Sequence, residues 1–124
     1  MARQIRITAG EVSATALLND SPTADLIWAA CPITSKAQTW GDEIYFETPV
    51  ETEGEDLQAT VGMGDLAYWP PGQAFCIFFG PTPMSSGEEI RPASPVAVFG
   101  QVEGDATVFK AVRGGTPIRI EQVS

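Results

Sequence analysis

The chain has 124 residues, 44 % of them apolar, with Gly 12, Pro 10 and no histidine. That length suits one domain, and the glycine and proline content suits short strands joined by turns better than a helical bundle. The 16 acidic and 7 basic residues give a formal net charge of -9, a surface that repels phosphate backbones and anionic bilayers, so neither nucleic acid nor membrane is expected as a partner.

The first ten residues carry basic side chains but no apolar core after them, so they do not read as a secretory leader. No apolar run is long enough to cross a bilayer as a helix. The expected location is the cytoplasm. The two cysteines, Cys31 and Cys76, each sit in apolar sequence and are expected to be buried free thiols.

Residues 4–9 alternate, with Ile5, Ile7 and Ala9 on one side and Gln4, Arg6 and Thr8 on the other. Val12, Ala14, Ala16 and Leu18 repeat the pattern after a two-residue link, so the chain opens on a hairpin. A short helix is predicted over 22–31. Ser21 suits its cap, Pro22 its first position and Asp25 its first turn. Leu26, Ala29 and Ala30 are expected on the packed side, with Ile27 and Cys31 extending it, and Pro32 ends it. So short a helix needs the rest of the fold behind it.

Residues 33–40 alternate without a clearly apolar face, which predicts an edge strand or one lining a partly polar surface. In the next strand, 43–47, Ile44 and Phe46 point inward and Tyr45 outward. The acidic run 51–56, ETEGED, reads as a solvated loop or hairpin tip, since like charges resist close packing and no EF-hand spacing is present. Leu57, Ala59 and Val61 predict a further strand.

The centre of the chain is GDLAYWPPGQAFCIFFGPTP, residues 64–83. Residues 66–69 form a strand, Pro70, Pro71 and Gly72 a tight turn, and 75–79 a strand with no charge to mark a wet face. Gly72 is expected to take the positive φ of a type II turn. The segment 84–95 predicts a long loop of the kind that often serves binding. Strands follow at 96–101, with Gly100 at a bulge or close contact, at 107–112, and at 117–123. The count of eight or nine strands with one helix favours a closed or nearly closed antiparallel barrel, which also removes exposed sheet edges.

The lack of histidine removes His-based triads and histidine zinc sites, and neither phosphate-loop pattern occurs. No cofactor or metal is expected. Asp42, Glu43 and Asp65 follow glycines or precede strands, where carboxylates often cap backbone amides; a catalytic pair would need two of them facing one cleft. Trp40, Tyr45, Tyr68 and Trp69 are aromatics with polar handles near turns, suited to the floor of a peptide or small-molecule site. Lys36 and Arg91 are scarce positive charges able to orient a carbonyl or carboxylate. The candidate ligand-binding residues are therefore Trp40, Glu43, Tyr45, Tyr68, Trp69 and Arg91.

The segments WGDEIYFETP (40–49), VGMGDLAYWPPGQAFCIFFGPTP (61–83) and VAVFGQVEGD (96–105) resemble the small bacterial and archaeal cyclophilin-like proteins of uncharacterised function. The resemblance covers nearly the whole chain and implies a mainly β, cyclophilin-like closed antiparallel barrel of about eight strands, matching the strand count above. True cyclophilins are prolyl isomerases whose pocket uses an arginine, a hydrophobic floor and a histidine. This chain has no histidine and lacks the sequence around the catalytic arginine. The expected function is binding of a small molecule or extended peptide without classical isomerase chemistry. Weak prolyl isomerisation is one alternative. Another is carboxylate-dependent action on an amide or urea-like substrate, since such barrels also occur in bacterial amide-hydrolysing systems. Self-association into a homo-oligomer is a further expectation.

Overall fold

A computed structural model describes residues 3–123; the reading of the extreme N-terminus rests partly on Met1 and Ala2, which lie outside the described residues. The hairpin opens the chain as β1 (Gln4–Ala9) and β2 (Val12–Leu18), followed by α1 (Pro22–Ala30). Next come β3 (Ile33–Lys36), β4 (Gln38–Thr39), β5 (Glu43–Glu47), β6 (Asp65–Trp69), β7 (Ala74–Phe78), β8 (Ala97–Val102) and β9 (Pro117–Gln122). All pair antiparallel in the order β3-β9-β1-β2-β8-β6-β7-β5-β4.

The two ends of that order are one piece of chain. The expected single strand over 33–40 is divided: β3 pairs with β9, β4 pairs with β5, and only Ala37 separates them. Ala37 is fully buried; its N–H donates to the Thr116 carbonyl (2.8 Å), and its own carbonyl accepts from Gly115 (2.7 Å). Crossing from one end of the sheet to the other at this residue brings the sheet round into a nearly closed barrel and leaves little free edge.

Alternation fills the interior. Ile5, Ile7, Leu18, Ile44, Phe46, Leu66, Tyr68, Phe75, Ile77, Phe99 and Ile120 belong to one buried cluster, with Phe75 stacked on Phe46 at 4.8 Å and edge-on to Phe99 at 5.0 Å. Phe99 is the extra residue of a bulge: Leu66 faces Gly100 while Ala67 faces Val98. A Cβ on Gly100 would lie 2.7 Å from the Leu17 carbonyl oxygen, so the close contact expected there is present.

The helix forms where the cap signals place it, with the Ser21 side chain accepting from the Ala24 N–H (3.1 Å). Its packed face differs from the expected one. Thr23, Ala24 and Ile27 are buried, whereas Leu26 is 43 % exposed, because apolar residues lie on more than one side of a short helix and only the one-turn set nearest the barrel is covered. Residues 51–56 are coil, yet Glu55 is engaged: it accepts from the Thr23 hydroxyl (2.8 Å) and N–H (3.3 Å) at the start of α1.

Two expected strands are absent. Residues 57–61 make only isolated bridges, Gln58 with Val96 and Val61 with Ile90, and Leu57 is 48 % exposed. Ala106–Ala111 is a 3-10 helix, capped by Asp105 accepting from the Thr107 N–H (3.0 Å). Ala106 and Phe109, three apart, are buried, while Val108 is exposed; a three-residue repeat had the look of alternation in so short a stretch. The turn in the central hairpin also differs. Pro70–Gly72 is a 3-10 turn, and Gln73, not Gly72, is left-handed (φ 48°, ψ 42°). Among the described residues no helix is long and apolar enough to cross a membrane.

Candidate functional site

The wall formed by β5, β7 and β6 is covered on both faces. Its inner residues fill the barrel. Its outer residues Ala67, Ala74, Cys76 and Phe78 form a second buried cluster with Ile90 and Val96, flanked by Tyr45, Val61, Trp69 and Val98. The segment 80–96 is the cover, which is why 75–79 carries no charge on either side.

That cover is fixed by its own polar groups. Ser85 Oγ accepts from the Thr82 N–H (3.0 Å) and the Arg91 N–H (3.2 Å), and the Thr82 hydroxyl donates to the Arg91 carbonyl. Ser86 donates to Glu89 through N–H (2.9 Å) and hydroxyl (3.1 Å). The turn before β5 is clamped to the start of the same segment: Trp40 N–H donates to the Glu43 carbonyl (2.9 Å) and Asp42 N–H to the Pro81 carbonyl (2.9 Å).

Between the wall and its cover lies a pocket of about 260 Å³, lined by Trp40, Glu43, Tyr45, Trp69, Pro92, Ala93 and Val96. It falls just below the roughly 300–1,000 Å³ usual for ligand sites. Strand period 2 puts Glu43 and Tyr45 on the same outer face of β5, and pairing brings β7 beside them, with Tyr45 opposite Cys76. Trp69 ends β6. Its indole N–H donates to the Ser94 hydroxyl (2.6 Å), tying the wall to the cover. Behind the ring stands Gly72, where a Cβ would come within 2.7 Å of indole carbon Cζ3. Glycine is required at that position by the tryptophan, not by a positive φ. A wider, shallower groove shares Tyr45 and Trp69 and continues past Gly72, Ala74, Gln38 and Lys36.

Glu43 is the unusual group. It is 5 % exposed, and its Oε1 is buried with no hydrogen-bond partner. Burial pushes its carboxyl up from 4.5 to about 7, with a smaller opposing pull from the Cys76 thiol. Cys76 is buried and held well above the usual thiol range by burial and by the Glu43 charge. The other free thiol, Cys31, is half-buried and is pushed up to about 11 by burial. Neither has the lowered pKa of a reactive cysteine.

Of the six residues singled out in the sequence, the structure brings Trp40, Glu43, Tyr45 and Trp69 together. Tyr68 lies elsewhere: it points into the barrel, is fully buried, and its hydroxyl donates to the Val50 carbonyl (2.6 Å). Arg91 adjoins the lining residue Pro92, but its own side chain faces Glu89 (Nε to Oε2, 3.5 Å). Lys36 borders the outer groove only. The capping role expected of carboxylates holds for Asp65, whose Oδ2 accepts from the Gly62 N–H (2.7 Å). It fails for Glu43, whose Oε1 meets no donor. Asp42 instead faces Lys110 at 3.9 Å. Sequence reading did not single out Pro92, Ala93 or Val96. The long loop signalled the segment, but which of its residues turn inward depends on the Ser85 and Thr82 clamp. Among the described residues, no group of three or more cysteine or carboxylate side chains is placed to hold a metal ion.

A small antiparallel barrel with a covered outer wall and an aromatic pocket beneath the cover is the class these features define. The chain belongs to the Cyclophilin-like family, whose pattern matches residues 3–121. It is also similar to the solution structure of a hypothetical protein from Archaeoglobus fulgidus, with 39% sequence identity and a TM-score of 0.83. That similarity covers 98% of this chain and 95% of the archaeal one. No curated protein matches the chain.

Proposed function

We propose that this protein is a binding barrel that takes a small organic ligand in the pocket under the 80–96 cover. The observation that carries this reading is Glu43: a buried carboxyl with an unpartnered oxygen, set among Trp40, Tyr45 and Trp69. Leaving a buried acceptor unmatched costs about 1–3 kcal/mol. A ligand that supplies a donor removes that cost on binding. The adjoining groove past Lys36 gives room for a substituent or a short extended chain.

Classical prolyl isomerisation fits less well. Among the described residues no arginine lines the pocket, so none there supplies the cationic donor that would polarise a prolyl amide. A second reading is favoured by one observation, the Glu43 carboxyl at about 7, a value suited to general acid or base work near neutral pH. Asp65 does not complete a carboxylate pair, since it is engaged with Gly62 and Gln101. If Glu43 catalyses breakdown of an amide or urea-like substrate, turnover in such a substrate panel disappears in Glu43→Gln; a panel with no turnover by the parent protein disposes of that reading.

Binding is tested by a fragment screen read as thermal stabilisation. Compounds that raise the melting temperature of the parent protein are expected to lose their effect in Trp40→Ala, a half-buried site at the pocket rim. Hits that stabilise both proteins equally place binding elsewhere and contradict the proposal.

A further inference from the structure

Resting on the reading of this pocket as a small-molecule site, we infer that its ligand is an organic cation with N–H donors, an amidinium or primary ammonium group on a flat apolar body. Three aromatic side chains, Trp40, Tyr45 and Trp69, line the pocket, and among the described residues the one charged side chain in its lining is Glu43. Aromatic faces attract cations through their quadrupoles, tryptophan most strongly, and the attraction grows when water is excluded. A carboxylate oxygen without a donor is matched best by a charged N–H, whose hydrogen bond to it is about twice as strong as a neutral one.

The rest of the lining, Pro92, Ala93 and Val96, is apolar and suits the body of such a ligand. No basic residue competes. Arg91 faces Glu89, and Lys36 stands in the neighbouring groove. The titratable groups packed around Glu43 are Tyr45 on its own strand and Cys76 on β7, the latter a neutral thiol at physiological pH. An anionic ligand would therefore meet Glu43 with nothing to offset the repulsion, in a protein already at -9.

The probes are three compounds of one shape: benzamidine, benzamide and benzoate. Binding is measured by titration calorimetry on the intact protein at pH 8, above the value of about 7 to which burial raises Glu43. Benzamidine is expected to bind at least about tenfold more tightly than benzamide, with benzoate weaker still. Glu43→Gln, which keeps the shape of the side chain, is expected to abolish the preference for benzamidine over benzamide. Circular dichroism confirms that the variant is folded. Benzamide or benzoate binding as tightly as benzamidine, or a preference that survives Glu43→Gln, overturns the cation inference and leaves the pocket a binding site. Failure of benzamidine to bind while Trp40-dependent hits of the fragment screen do bind overturns the cation inference alone; no binding by any of the three and no Trp40-dependent hit overturns the reading of the pocket itself.

Discussion

Glu43 carries both a stability cost and the proposed binding role. Unfolded, its carboxyl titrates near the usual 4.5; folded, near 7. Between those values the unfolded chain gives up a proton that the folded protein keeps, so stability falls as pH rises from about 4.5 to about 7 and is then level. The shift corresponds to roughly 3 kcal/mol. Glu43→Gln stays neutral throughout, so its advantage over the parent is expected to be small at pH 4.5 and to reach that order at pH 8, as read from urea unfolding at both. An equal difference at the two pH values would mean that the carboxyl is not held neutral by burial. Gly72 sets the other side of the pocket. Gly72→Ala drives a methyl into the Trp69 ring and is expected to cost about 1–3 kcal/mol. It also displaces the indole from Ser94, which a shift of the Trp69 indole N–H resonance would register.

Single elements show what local sequence can and cannot say. The helix was legible because its start is chemical: Ser21, Pro22 and Asp25 occupy the positions that free amides and the helix dipole favour. Ser21→Ala is expected to destabilise the protein by about 1 kcal/mol, measured as a lower urea midpoint with an unchanged slope. The strands of the barrel were legible from alternation, as in Ile5 and Ile7 or Ile118 and Ile120. Alternation failed over 107–112, where Phe109 belongs to a three-residue repeat, and over 57–61, where pairing is limited to isolated bridges with Val96 and Ile90. The site was legible in part. Trp40, Glu43, Tyr45 and Trp69 declare themselves by type, but Tyr68 differs from Trp69 only by the side of β6 on which it falls. Its 2.6 Å bond to Val50 depends on a chain segment 18 residues away. The orphaned oxygen of Glu43 has no sequence signal at all, since it arises from a cover folded by contacts among Thr82, Ser85 and Arg91.

At the scale of the whole molecule, closure and the pocket share one cause. The chain leaves β3 at one end of the sheet, turns at Ala37 and enters β4 at the other. Residues 40–43 then bring Trp40 and Glu43 into the lining of the pocket under the cover. Enlarging Ala37, which is fully buried, strains that crossing. Ala37→Leu is expected to cost about 1–3 kcal/mol and to weaken binding of the fragments found by thermal shift; unaltered stability would show that the closure tolerates a larger side chain. The most direct test of the account is a nitrogen-15 chemical-shift map of the intact protein during titration with benzamidine at pH 8. The predicted result is saturable shifts centred on Trp40, Glu43, Tyr45, Trp69, Ala93, Ser94 and Val96, weakened in Glu43→Gln. Shifts centred on another surface, or none at saturating concentration, would contradict it.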